Sequence, residues 1–329
     1  TAANAAQAVV SVPVSFRVVN ENRTPLPCSD DDATYTVNGH ITGPAAVLKK
    51  RMISAAALYL HGDGVDERLW HYTKTPGHDY VSELAQQGFV SVTITRLGYK
   101  GSGMPNGNAI CFGSEATVAH QIIEQLRGGT YDHGAGLGIG KHAPRVARIA
   151  LAGHSASGFV AMAEAYSFSD IDALIVVASG EFVTPHVGEV VLDQQSRCPS
   201  SEDGYSYLTE DQDQAKADFF TAGADPAVVE DFSATRPKDA CGPLQKAPGS
   251  FVFDADLLST VAVPVLCIAG DEDVFFPHPD QQASLFTGSK DAKAVILPNT
   301  GHALTLEKSA PAFRAAMTTW LRDHNLAAN

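Results

Sequence analysis

Apolar and polar positions along the chain follow two periods. Over 9–20 they alternate, with Val10, Val12, Val14, Phe16 and Val18 on one side, the pattern of a strand with one buried and one wet face. Seven more strand-length segments fall at 35–42, 55–60, 89–95, 148–152, 173–178, 264–269 and 294–297, making eight. The later ones are continuous apolar runs, which suits strands covered on both faces at the centre of a sheet. Helical spacing recurs between them, at 79–87, 114–126, 156–168, 280–285 and 310–324. Strand followed by helix, repeated, predicts an α/β fold: a mostly parallel eight-stranded sheet with helices on both faces and an antiparallel pair at its start. One interval breaks the rhythm. Residues 179–261 hold no convincing strand, are rich in Asp, Glu, Ser and Pro, and carry helical patterns only at 209–221 and 225–234. So long an interval inside a compact domain is usually functional, and it reads as a helical cap inserted after the sixth strand of a core formed by 1–178 and 262–329.

Composition narrows the function classes. With 44% hydrophobic and 18% charged residues the chain has enough apolar surface to fold as a globule. A formal charge of −14 with no basic run argues against nucleic acid and anionic membrane as partners. No segment approaches the roughly 18–20 apolar residues of a membrane span. The opening TAANAAQA resembles the end left after removal of a signal peptide, so a secreted or extracellular mature chain is expected. Of five cysteines, Cys28, Cys111, Cys198 and Cys241 sit in turn-rich surroundings, whereas Cys267 lies inside the apolar VPVLCIAG. Four loop cysteines allow three pairings. Cys28–Cys111 with Cys198–Cys241 is favoured, the second closing a loop within one segment, and five reduced thiols is the competing reading.

Candidate chemistry begins at RIALAG-HSASG, where a strand runs into a tight turn bearing Ser155 and then into an apolar helix. That is the context of a nucleophile elbow, in which small neighbours such as Gly153, Ala156 and Gly158 let strand and helix pass closely. Ser157 stands where G-x-S-x-G has its second glycine. The rival reading of Ser155 is a simple helix N-cap. A serine hydroxyl needs a base, and the base needs a group to hold its tautomer. GDED after the next-to-last strand offers a carboxylate, and NTGHALTLE after the last strand offers His302.

In this Ser, Asp, His order, from about residue 9 to 326, the chain resembles the α/β-hydrolase superfamily, in particular secreted actinobacterial-type esterases and lipases with a GHSxGG elbow. The resemblance implies Ser155 as nucleophile, His302 as base and Asp273 as the acid of a G-x-x-D pattern, with Asp271 and Glu181 as alternative acids. His61-Gly62 resembles the family's HG turn, which implies oxyanion donors at the Asp63 and Ala156 amides. The Asp63 carboxylate is then expected to face solvent or to meet a polar part of the substrate. The other histidines are scattered, and no H-E-x-x-H or C-x-x-C spacing points to a metal or cofactor. RLGYKGSGMPNGN at 96–108 lacks the ending of a phosphate loop. The resemblance implies hydrolysis of a carboxylic ester or lactone through an acyl-enzyme. Phe219, Phe220, Phe232, Phe251 and Phe253 of the cap are expected to wall a site for a small-to-medium apolar group. Amidase, peptidase or carbon–carbon hydrolase chemistry on the same triad, and a non-catalytic ligand-binding protein on the same scaffold, are the alternatives.

Overall fold

The computed structural model describes residues 8–134, 142–245 and 256–328. Among the described residues the strands are β1 (Val9–Val19), β2 (Thr34–Pro44), β3 (Met52–Leu60), β4 (Ser91–Ile94), β5 (Asp132–His133), β6 (Arg145–His154), β7 (Ala173–Val177), β8 (Tyr205–Ser206), β9 (Asp239–Ala240), β10 (Val265–Gly270) and β11 (Ala292–Leu297). Nine form one sheet in the order β11-β10-β7-β6-β3-β4-β2-β1-β5, and β8 pairs with β9 separately. Neighbours from β11 through β4 are parallel, while β2, β1 and β5 join antiparallel. The ninth strand, β5, is two residues long, too short to show a period.

The alternation in β1 does its expected work: Val12, Val14, Phe16 and Val18 are buried and the residues between them are not. β4, β7 and β10 are buried at every residue, so both faces of the central sheet are covered. β11 departs from that expectation. It is the edge strand, only Leu297 in it is buried, and Ile296 is 49% exposed.

The helices are α1 (Ala45–Leu48), α2 (Tyr80–Ala85), α3 (Phe112–Gly128), α4 (Ala156–Phe168), α5 (Pro185–Arg197), α6 (Gln212–Phe219), α7 (Pro226–Ala234), α8 (Cys241–Gln245), α9 (Pro279–Ala283) and α10 (Ala310–Asp323). α3 starts on a capping box of Cys111 with Ser114 and stops at Gly129, which takes the left-handed conformation at φ 65°. α3 packs on α4, and α2 packs on α10. The bridges are Cys28–Cys111 and Cys198–Cys241, each with Cα atoms 5.8 Å apart, and Cys267 is buried and unpaired. The first ties the start of α3 to the β1–β2 connection. The second ties the end of α5 to α8. Between β7 and β10 lie α5 to α8 and the β8–β9 pair. Strand register lines up Leu60 with Gly153, His154 with Val177 and Gly270 with Leu297. The carboxyl ends of β3, β6, β7, β10 and β11 therefore share one edge, where open α/β sheets bind ligands.

Candidate active site

Because β6 ends at His154 and α4 begins at Ala156, Ser155 alone makes the turn. Its φ of 54° and ψ of −126° place an L residue where glycine is at ease, at a cost of about 1–3 kcal/mol. Its N–H donates to Val177 O at 2.9 Å. The neighbours are small for a steric reason: a Cβ on Gly153 would stand 1.9 Å from Ser157 O, and one on Gly158 would stand 2.2 Å from Ser179 Oγ. The departure at Ser157 has a use, since its Oγ donates to His61 O at 2.6 Å and ties the elbow to the turn after β3. That turn is equally tight, for a Cβ on Gly62 would meet Ser155 Cβ at 2.7 Å.

His302 Nδ1 and Asp273 Oδ2 are 2.9 Å apart, with both side chains fully buried. Asp273 Oδ1 accepts the Phe275 and Phe276 N–H groups at 2.9 and 3.1 Å, so the carboxylate is fixed from both ends. Its Oδ2 requires the imidazole proton on Nδ1, which leaves Nε2 as the acceptor. That Nε2 is buried with no hydrogen-bond partner, so it makes no hydrogen bond to Ser155 Oγ in this conformation. Asp271 is exposed and accepts from Thr300 N–H at 3.4 Å, while the Glu181 N–H donates to Gln282 Oε1 at 2.7 Å.

His61 and His154 serve as props. His61 accepts the Arg96 N–H on Nε2 at 3.1 Å and bonds Gly62 O through Nδ1 at 2.9 Å. Burial, then the Arg96 charge, pushes its pKa down to about 3. His154 Nε2 bonds His302 O at 2.9 Å, and burial, reinforced by His302, holds this ring neutral.

The Asp63 side chain does not face solvent. It is buried, and its Oδ1 accepts from Arg96 Nη1 at 2.9 Å and Tyr99 OH at 3.0 Å. Arg96 answers the charge beside the turn, so a carboxylate can sit there without opposing an oxyanion. The Ala156 N–H, first in α4, has no intrahelical acceptor and points with the helix's positive end toward Ser155.

The same cluster holds the inserted segment. Asp239 of β9 accepts from Gly64 N–H at 2.7 Å and from Tyr99 OH at 2.8 Å on Oδ1, and from Leu208 N–H at 3.2 Å on Oδ2. Tyr99 has one proton to offer Asp63 and Asp239. Burial, with the Asp63 charge adding to it, pushes the Asp239 carboxyl up to about 8, so Asp239 carries its own proton at neutral pH. In the unfolded chain an aspartate titrates near 4. The folded state therefore binds the extra proton between these values, and its contribution to stability is full below about pH 4 and is lost as pH rises to about 8. Urea midpoints measured from pH 6 to 9 should fall more steeply for the wild type than for Asp239→Asn. Parallel curves would refute the assignment.

Ser155 opens into a cavity lined by Asp63, Ala156, the core residues Phe112, Phe159, Phe275 and Phe276, and, from the insertion, Val187, Val190, Val191, Leu208 and Leu244. Phe219, Phe220 and Phe232 are not among the residues that line this cavity. Phe219 packs edge-on against His302 at 5.1 Å, and Phe220 packs against Phe232 at 6.1 Å beside a neighbouring cavity. Phe251 and Phe253 lie outside the described residues. α5, which brings the three valines, has no counterpart in the sequence reading. Its i, i+3, i+4 spacing at Val187, Val190 and Val191 is the signal that could have found it. Away from this site the fold gathers His120, Glu164 and Asp170, from separate elements that leave no local motif.

A family model described as alpha/beta hydrolase family matches residues 57–316. No curated protein matches by sequence. Among solved structures, the chain resembles a thermophilic esterase from Thermogutta terrifontis at 18% identity, with a TM-score of 0.63 and 94% of this chain and 98% of that one covered. A carboxylesterase structure from Nitrososphaera gargenis is similar at 14% identity, with a TM-score of 0.62 and 90% and 98% covered. A bromoperoxidase from Bacillus anthracis is similar at 16% identity, with a TM-score of 0.62 and 92% and 100% covered. At these identities the likeness is one of fold.

Proposed function

Because the chain belongs to the alpha/beta hydrolase family, we propose that it is a serine hydrolase acting on a carboxylic ester or lactone with a small-to-medium apolar group. One observation carries the reading: the buried His302–Asp273 pair, 2.9 Å apart with its outer nitrogen unpartnered, belongs to the same aromatic wall as the cavity into which Ser155 opens. In this mechanism His302 takes the Ser155 proton as Oγ attacks the carbonyl carbon. Asp273 steadies the imidazolium, and the Asp63 and Ala156 amides receive the oxyanion. The imidazolium then returns the proton to the departing alkoxide. Water, deprotonated by His302, releases the acid from the acyl-serine. The residues between β7 and β10 serve as the cap, fastened by Phe219 O accepting from Ala303 N–H at 2.8 Å next to the base. The lining apart from Asp63 and Ser155 is apolar, which favours an acyl chain over a charged group. Export to an oxidising compartment fits the two disulfides. No helix among the described residues is long and apolar enough to cross a membrane.

The test is a panel of p-nitrophenyl esters from acetate to decanoate, with lactones and aminoacyl amides alongside. The expected result is kcat/KM rising with acyl length to a medium chain and little turnover of amides. A folded sample that neither turns over any ester nor labels with a fluorophosphonate would refute the reading in favour of a binding protein. Val190, buried on α5 and lining the cavity, sets the length limit. Val190→Phe should lower kcat/KM for the octanoate about 10- to 100-fold relative to acetate, and an unchanged ratio would place the acyl chain elsewhere.

A further inference from the structure

At the seam of α3 and α4, away from the elbow, three ligand-type side chains converge. His120 Nδ1 lies 2.9 Å from Asp170 Oδ2 and 3.9 Å from Glu164 Oε1, and one ligand atom from each residue fits within a mutual 4.8 Å. Glu164 is fully buried, and neither of its oxygens has a hydrogen-bond partner; Asp170 Oδ1 is buried and unpartnered as well. A carboxylate with no donor deep in a protein is costly. One shared proton between Glu164 and Asp170 would satisfy two of these atoms at most. A cation would satisfy the set.

We propose that His120, Glu164 and Asp170 form a binding site for one divalent transition-metal ion of the zinc class. Two carboxylates balance the double charge, and the imidazole supplies the nitrogen that favours such an ion over magnesium or calcium. The size fits: four ligands at 2.0–2.2 Å in a tetrahedron stand about 3.4 Å apart, between the 2.9 and 3.9 Å observed. The surroundings are those that orient a ligating histidine. The His120 ring stacks on Phe168 with centroids 3.9 Å apart and planes 8° apart, and its other nitrogen is 3.6 Å from Glu124 Oε1. The nearby cation, Arg127, is occupied by Asp172 Oδ2 at 2.9 Å and by Asp170 O. His120 and Asp170 keep 12% and 25% of their side chains exposed, leaving a way in and room for a water as fourth ligand. Glu164 is nine residues beyond Ser155, about 13 Å along α4 at 1.5 Å per residue. The ion would therefore clamp the helix pair that carries the elbow and take no part in hydrolysis.

The experiment titrates chelator-treated full-length protein with zinc chloride by calorimetry, with thermal midpoints in parallel. The wild type should bind one zinc and gain thermal stability. Glu164→Gln and the more exposed Asp170→Asn should weaken binding about 100-fold or more while leaving ester turnover unchanged. Without zinc, Glu164→Gln should melt no lower than the wild type, since a neutral amide replaces a buried acid, and this shows that the variant folds. Absence of a saturable one-to-one site in the wild type, or full zinc affinity in both variants, overturns the proposal.

Discussion

Ser155→Ala is expected to lower kcat for a short aryl ester by at least about 10⁴-fold while the thermal midpoint stays within a degree or two of the wild type. The size of the loss follows from the role proposed for the hydroxyl: no other group at the cavity mouth can form the acyl intermediate, and what survives comes from the amides and from binding. Its selectivity follows from the backbone. Alanine keeps the Cβ, so it keeps the φ of 54° and the strain that goes with it. Ser155→Gly removes both the hydroxyl and the strain, and should be equally inactive but more stable than the alanine variant by about 1 kcal/mol. Denaturant midpoints and p-nitrophenyl acetate kinetics on the two variants measure both halves. Residual activity above a tenth of wild type would rule out Ser155 as the nucleophile, and equal stability of the two variants would deny that the turn is strained.

That strain is legible in outline from the sequence, because strand, serine turn and helix are contiguous. α4 runs over 156–168 in both the pattern and the fold. His302 and Asp273 were readable for a similar reason: each follows a recognisable strand, and parallel strands deliver their carboxyl ends to one edge. What escaped was decided by contacts distant in sequence. The partner of Asp63 is Arg96, and nothing local announces that a side chain will point inward to meet it. Phe219, Phe220 and Phe232 suggest walls for the cavity, but composition does not give side-chain direction, and α5 lines it with valines. α5 itself was hidden by Pro185, which suits a first helical turn yet reads as a breaker, and by Gly188. β11 has the apolar run of a buried strand but stands at the edge, and hydrophobic content does not distinguish one neighbour from two. His120, Glu164 and Asp170 illustrate the same limit for ligands drawn from two helices and a loop.

Arg96 is the residue whose loss should cost the fold most. Its guanidinium is buried and grips Glu115 through Nε at 2.9 Å and Nη2 at 2.6 and 2.7 Å; Nη1 donates to Asp63 Oδ1 at 2.9 Å and to His61 O at 3.1 Å. Burial raises the Glu115 pKa and Arg96 pulls it back, so the cation is what makes the acid tolerable there. Arg96→Met leaves two buried carboxylates without a counter-charge, a change that typically costs about 3–5 kcal/mol out of a total of about 5–15. The turn carrying the Asp63 amide also loses its brace, so kcat should fall in whatever fraction folds. Arg96→Lys keeps the charge but not the fork, and should lie between. The decisive comparison is the double variant Arg96→Met with Glu115→Leu. If stranded charge is the cause, removing Glu115 as well should recover about 1–3 kcal/mol of the loss, whereas a packing defect would deepen it. Urea unfolding of the four proteins decides between them. A single-variant loss below about 1 kcal/mol would mean that water reaches the cluster and that the charges were never desolvated.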